Sequence, residues 1–418
     1  MSVETWQRFR LADVVTDFFS GAWGDSPTDS QASNVQVLRA TNIDSDGRID
    51  YRSPAHRVFA ARDILHKSLR VGDLLLEASG GGPGTPVGRV ALHVRADSEI
   101  VFACSNFFRA MRPDRNVILP GYLACVLERL YRSPEIWRYQ QQTTGLVNLK
   151  SRDYLNQLLL IPPLGEQQRI VELVDALSAA KRGIEASITK LRSVRQGLIS
   201  DQFSRAYAEG GSPTSHMRTL DSLADVGGGL TLGGVSSGGS LLEVPYLRVA
   251  NVQDGFVSTL EMKSVRVTPA DMERFRLRRD DVLVTEGGDF DKVGRGAVWD
   301  GRIDPCLNQN HVFRVRCDKE FLDPHFLNLY MSSAAGRRYF LRVVKQTTNL
   351  ASINSSQLKA MPIPCPPLEG QRRTVELLGS CDEQIAEEEG ELAKLRELKV
   401  GLVDDLLSGR VAVAVAGA

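Results

Sequence analysis

Asp281, Glu286, Asp289 and Lys292 bring three carboxylates and an amine into one short stretch. Nucleases gather such groups around a divalent ion, where carboxylates hold the metal and cations steady a phosphate. The order here is not PD…(D/E)xK, and the stretch has no equivalent earlier in the chain. The residues read instead as turn acids flanking a strand, a place Asp suits because its side chain bonds turn backbone. Other chemistries leave as little trace. IPPL at 161–164 and CPPL at 365–368 lack the Asn or Asp and the aromatic residue of the amino-methyltransferase signature (N/D)PP(Y/F). No GxxxxGK(S/T) phosphate loop is present. His56, His66, His93, His216, His311 and His325 show neither HExxH nor any metal-ligand spacing. The chain is therefore expected to be non-catalytic, with no metal or cofactor of its own.

What the chain does contain is a repeat. Ile161 to Phe203 begins at two prolines and then carries apolar residues at Ile170, Leu173, Leu177, Ala180, Ile184, Leu191, Val194 and Leu198, with Ile188 beside the stripe. Alternating steps of three and four are a heptad seam, which needs a second helix to cover it. Cys365 to Gly409 supplies one, through Leu377, Leu378, Cys381, Ile385, Leu392, Leu395, Leu398, Leu402 and Leu406. Aligning Pro163-Leu164 with Pro367-Leu368 also aligns Gln167 with Gln371, Arg169 with Arg373, and Gly197-Leu198 with Gly401-Leu402. The simplest arrangement pairs the two rods with each other.

The repeat extends beyond the rods. Leu11-Ala12-Asp13-Val14 matches Leu223-Ala224-Asp225-Val226, and Leu38 to Ile43 matches Leu247 to Val252. Leu69 to Leu75 parallels Leu277 to Leu283, a turn feeding a buried strand, and a glycine-rich loop follows each: Ser79 to Gly84 and Glu286 to Asp289. Short strands come next, Val87 to Ala91 and Val293 to Ala297, and Gln142-Thr143-Thr144-Gly145-Leu146 answers Gln346-Thr347-Thr348-Asn349-Leu350 before each proline break. The order is globule, rod, globule, rod. Expected boundaries are 1–160, 161–205, 206–363 and 364–418, with linker composition at Glu209 to Ser215. Each globule is read as α+β with a mostly irregular or antiparallel sheet, with strands such as Val35 to Leu38, Val282 to Thr285 and Val312 to Val315, and helices at Leu123 to Tyr131 and Phe326 to Tyr330.

Composition sets outer limits. A chain of 418 residues, 42% hydrophobic and 24% charged, is an ordinary globular composition too long for one core. No long apolar run and no basic-then-apolar start suggest a membrane span or signal peptide, so a cytoplasmic protein is expected. Cys104, Cys125, Cys306, Cys317, Cys365 and Cys381 are scattered without CxxC pairs, as in a reducing compartment. Zero net charge does not favour nucleic acid as a basic chain would, although Glu387, Glu388, Glu389 and Glu391 on the second rod offset basic surface elsewhere.

PPLGEQQRI and PPLEGQRRT opening the rods, the QTT-type segments before them, the ending GLVDDLLSGRVAV and the repeat itself closely resemble the specificity subunit of type I restriction-modification systems. The resemblance covers essentially the whole chain; Gly165 and the inverted order Glu369-Gly370 are modest departures. It implies two target-recognition globules, each gripping half of a split double-stranded DNA site, and a pair of long antiparallel coiled-coil helices that set the spacing. It also implies two methyltransferase subunits and restriction/translocase subunits as partners, with S-adenosylmethionine, ATP and Mg on those partners and none here. DNA readers need cations for phosphates and Arg, Lys, Asn or Gln for base edges. The candidates in the first globule are Arg39, Asn42, Arg89, Asn106, Arg109, Thr143, Thr144 and Lys150. Those in the second are Arg248, Asn251, Lys292, Arg295, Asn308, Asn310, Lys345, Gln346 and Thr347. Asn42 and Asn251 have a second reading as turn caps. Gln167, Arg169, Gln371 and Arg373 are expected to touch the partner subunit. Three rivals stay open: a recognition subunit of another phage-defence system, a protein-binding scaffold, and an enzyme with an unrecognised site.

Overall fold

The computed structural model describes residues 6–44, 46–82, 84–97, 99–143, 145–204, 217–231, 241–288, 293–346 and 351–411. The linker-like Glu209 to Ser215 lies outside them. Contacts divide the chain into two units: the described residues up to Ile184 with those from Glu391 onward, and Glu185–Gly390.

The first unit is organised around Leu74–Glu77, a run of leucines buried on both faces. Side chains alternate across a strand, and the core divides accordingly. Leu74 and Leu76 pack with Tyr122, Leu123 and Leu127 of the helix Pro120–Arg132, while Leu75 packs with Leu38, Phe102 and Phe108 on the opposite face. The sheet order is Val15–Ser20, Phe108–Pro113, Leu74–Glu77, Val90–Leu92, antiparallel throughout. A second sheet sets Val35–Leu38 between Ala55–Arg57 and Phe102–Cys104, parallel to the latter.

The second unit repeats this plan strand for strand. Ala224–Gly227, Val312–Cys317, Val282–Thr285 and Gly296–Val298 form the antiparallel sheet, and Leu242–Leu247 lies between Lys263–Val267 and parallel Leu307–Asn308. Val282 and Val284 face Phe326, Leu327 and Tyr330, and Leu283 faces Leu247 and Trp299.

A buried ion pair is repeated as well. Asp73, 1% exposed, accepts the Arg70 N–H at 2.7 Å and takes both arms of Arg112 at 2.9 and 2.8 Å. Asp281, also 1% exposed, accepts the Arg278 N–H and both arms of Arg316, each at 2.7 Å. The turn before each aspartate needs a left-handed residue. Gly72 (φ 96°) supplies it in one copy and Asp280 (φ 74°) in the other, and Asp is among the few side chains that tolerate that region. Asp281 is thus a structural anion, as the turn-acid reading expects.

The rods are single helices, Leu164–Ser204 and Leu368–Ser408, running antiparallel within each unit. In the first unit Lys399 donates to Ser178 at 2.7 Å; in the second, Ser187 donates to Glu388 at 2.8 Å and Arg195 to Asp382 at 2.9 Å. The heptad seam is followed only in part. Val194, Leu377 and Leu398, all placed on it, are 46%, 50% and 59% exposed, while Val174, Ile199 and Phe203 are buried. The cause is a change of partner along each helix: Val174 packs into the first globule's core, and Ile199 and Phe203 into the second's. Among the described residues no helix is long and apolar enough to cross a membrane.

Candidate nucleic-acid interface

In each globule the glycine loop and the QTT hairpin belong to one small sheet. Ser79–Gly81 pairs with Leu146–Leu149, which pairs with Gln140–Thr143. In the second globule Gly287–Gly288 and Lys345–Gln346 flank Ala351–Ser352. Gly80 (φ 113°) and Gly288 (φ 152°) hold equivalent places in backbone regions that side chains rarely enter. Each sheet is then tied to the turn that precedes Phe108–Pro113 in the first globule or Val312–Cys317 in the second. Ala78 N–H donates to Phe107 O at 2.8 Å, and Glu286 N–H to His311 O at 2.9 Å. Leu149 N–H donates to Ala78 O, and Ile353 N–H to Glu286 O.

The candidate residues fall into distinct groups on this scaffold. Asn106 is exposed and Asn310 half-buried at equivalent places in the turn, and among the described residues neither side chain makes a hydrogen bond. Lys345 is exposed on the small sheet and Lys150 half-buried just after it. Arg109 donates to Ser20 Oγ. Thr144, Lys292 and Thr347 lie outside the described residues, and Thr143 and Gln346 are placed only by their backbone.

Other candidates turn inward, which removes them from a surface set. Asn42, fully buried, accepts the Arg39 N–H at 3.0 Å and donates to Asp50 O and Ser53 O. Asn251 does the same with the Arg248 N–H, Ser258 O and Glu261 O. Their turn-cap reading is the one the geometry realises, because every hydrogen-bonding edge is used on the local backbone. Arg39 and Arg248 brace the same loops, donating to Ser53 O and Glu261 O. Asn308, 1% exposed, donates to Val312 O at 2.6 Å. Arg89 lies half-buried among Ile43 O, Ala40 O and Glu77, whose carboxyl burial pushes above its ordinary value while Arg89 pulls it down. Its counterpart Arg295 is half-buried too.

The proline-following glutamines need the plainest correction. Gln167 and Gln371 are expected at a partner surface, yet both are fully buried. Gln167 accepts the Leu119 N–H at 2.7 Å and donates to Val117 O and Pro162 O. Gln371 accepts the Asp323 N–H at 2.8 Å and donates to Phe321 O and Pro366 O. Leu119 and Asp323 are the cap residues of Pro120–Arg132 and Pro324–Ser332. Each glutamine therefore clamps the start of a long helix to the start of a globule helix, satisfying groups that helix ends leave unpaired. Arg373 does reach solvent, paired with Glu369, while Arg169 is half-buried. Residues the sequence reading missed are Phe107, 46% exposed, and His311, whose Nδ1 lies 2.7 Å from Glu286 Oε2. They differ between the copies, so a search for repeated residues passes over them. Among the described residues no group of His, Cys, Asp and Glu is placed to hold a metal.

Comparison with known proteins fits this duplicated architecture. A family model described as "Type I restriction modification DNA specificity domain" matches residues 219–397. The specificity subunit of the type I restriction enzyme EcoKI from Escherichia coli K12 is 24% identical over 404 residues, 90% of this chain and 82% of that protein. The chain is similar to specificity subunits of type I restriction-modification systems. The StySPI specificity subunit of Salmonella potsdam is 25% identical over 366 residues, covering 82% of this chain and 74% of that one. Two solved structures share the fold. One, from a study of complex assembly and conformational transition of the type I R-M system, has a TM-score of 0.59 at 20% identity, covering 96% of this chain and 97% of its own. The other, a type I system S subunit from M. genitalium, has a TM-score of 0.53 at 13% identity, covering 98% and 97%.

Proposed function

We propose that the chain is the DNA sequence-specificity subunit of a type I restriction-modification complex, a recognition protein without chemistry of its own. Residues 1–160 and 206–363 each read one half of a bipartite duplex site. The helical segments 161–205 and 364–418 set the spacer and dock two methyltransferase subunits, with restriction/translocase subunits completing the assembly in the cytoplasm. S-adenosylmethionine, ATP and Mg belong to those partners.

The observation that carries the reading is the duplicated scaffold with unlike exposed residues. Two globules share every sheet and the Asp–Arg pair, while after the common asparagine the exposed turn residue is Phe107 in one and His311 in the other. Two readers of different half-sites need that combination, since the scaffold positions and the side chains specify. Within the candidate set, Asn106, Arg109, Lys150, Asn310 and Lys345 are the DNA-facing residues this reading favours. A filter or fluorescence binding assay with cognate duplex tests it. Log affinity should fall linearly with log salt, by about 0.9 per phosphate neutralised. Lys345→Ala should weaken every sequence alike and make that slope shallower by about one. Salt-insensitive binding, or none, would favour the scaffold reading instead.

A further inference from the structure

We infer that one equivalent position, Phe107 in the first globule and His311 in the second, is a base-reading position, and that the two residues read different chemical groups. This rests on the specificity-subunit reading and extends it to individual side chains.

The two residues occupy one place in the repeated scaffold. Each follows an unbonded asparagine, Asn106 or Asn310, and each has its carbonyl held by the residue just before the glycine strand, Ala78 or Glu286. A Cβ on Gly80 would lie 3.6 Å from the Phe107 ring, so the bare glycine backbone and the aromatic residue form one surface. The scaffold is constant and the outward group is not. That is the pattern expected where a duplicated reader has changed its target.

The chemistry on each side is specific. Glu286 Oε2 lies 2.7 Å from His311 Nδ1, in a pair with side-chain exposures of 30% and 58%. With Glu286 accepting from Nδ1–H, the ring is oriented so that a neutral imidazole presents Nε2 as a lone-pair acceptor. An outward acceptor suits the exocyclic amino group of adenine or cytosine in the major groove. Phe107 has no polar atom and leaves 46% of its surface exposed, and the apolar feature of the groove is the thymine methyl. Ala78 stands where Glu286 stands, so the first globule lacks the carboxylate that would orient a histidine.

The experiment is modification-sensitive sequencing of cells carrying the whole complex with wild-type chain, His311→Phe or Phe107→Ala. Circular dichroism first confirms that each exposed-turn variant is folded. His311→Phe should relax or change one adenine or cytosine position in the half-site read by the second globule, leaving the other half untouched. Phe107→Ala should relax one thymine position in the first half, with discrimination falling about tenfold. A motif unchanged by both substitutions overturns the inference, as does a change at guanine under His311→Phe. Where a variant stops modification altogether, competition by duplexes carrying each base at each position decides in the same terms. Indifference at one position supports the assignment, and retained discrimination at all of them overturns it. Failure of the underlying reading looks different, because the wild-type chain would then direct no motif at all.

Discussion

Asp281→Ala should be among the most destabilising single substitutions in the second unit, costing roughly 2–4 kcal/mol, because it leaves the half-buried Arg316 and the Arg278 N–H without their acceptor. For a unit of this size that corresponds to a fall in thermal midpoint on the order of 10 °C. Asp73→Ala should cost the first unit less, because Arg112, 18% exposed, keeps its pair with Asp17 at 2.8 Å. The interaction is geometric as well as electrostatic: two parallel N–H···O bonds fix the turn that launches the central strand. The companion expectation is that Asp281→Leu with Arg316→Met recovers much of the loss, since with both charges removed only the Arg278 N–H is left without its acceptor. Differential scanning calorimetry of the two single variants and the double variant checks this. A single variant that melts with the wild type would mean that water reaches the pair.

Gln167→Glu should be the second large effect. The side chain is fully buried, and its amide donates to Val117 O and Pro162 O. A carboxylate of nearly the same shape would face those two carbonyls with no hydrogen to give. The cost is several kcal/mol at neutral pH, either as a buried charge or as the work of protonating it. The variant's carboxyl would titrate above its unfolded value, so its deficit should shrink as pH falls toward 4 and grow as pH rises through the raised value. Gln167→Leu, which only leaves the Leu119 N–H and two carbonyls unpaired, should cost roughly 2–4 kcal/mol with little pH dependence. Denaturant melts at pH 5 and pH 8 separate the two. Equal deficits at both would contradict the buried clamp.

The rods were legible because their signals are local: paired prolines stop the preceding segment and a long apolar periodicity follows. The exact seam was not, since Val174, Ile199 and Phe203 turn toward the globules, and nothing in a heptad count records which neighbour covers a residue. The repeat exposed the globules' plan, down to Asp73 and Asp281. It misled at Gln167 and Gln371, where recurrence signalled a shared internal clamp and was taken for a shared partner. Recurrence likewise drew Asn42 and Asn251 into the DNA set, although their repetition belongs to a turn that both globules need. Phe107 and His311 were invisible for the opposite reason. Residues that set two different specificities are the ones a repeat does not conserve, and only the common backbone geometry lines them up.

The most direct test of the central claim is modification-sensitive long-read sequencing of the host genome with this gene intact and deleted. The account predicts that deletion removes one bipartite methyl-adenine motif, two short half-sites separated by a fixed unspecified spacer, and leaves every other mark in place. Identical marks in the two genomes, with the methyltransferase partner expressed, would contradict it.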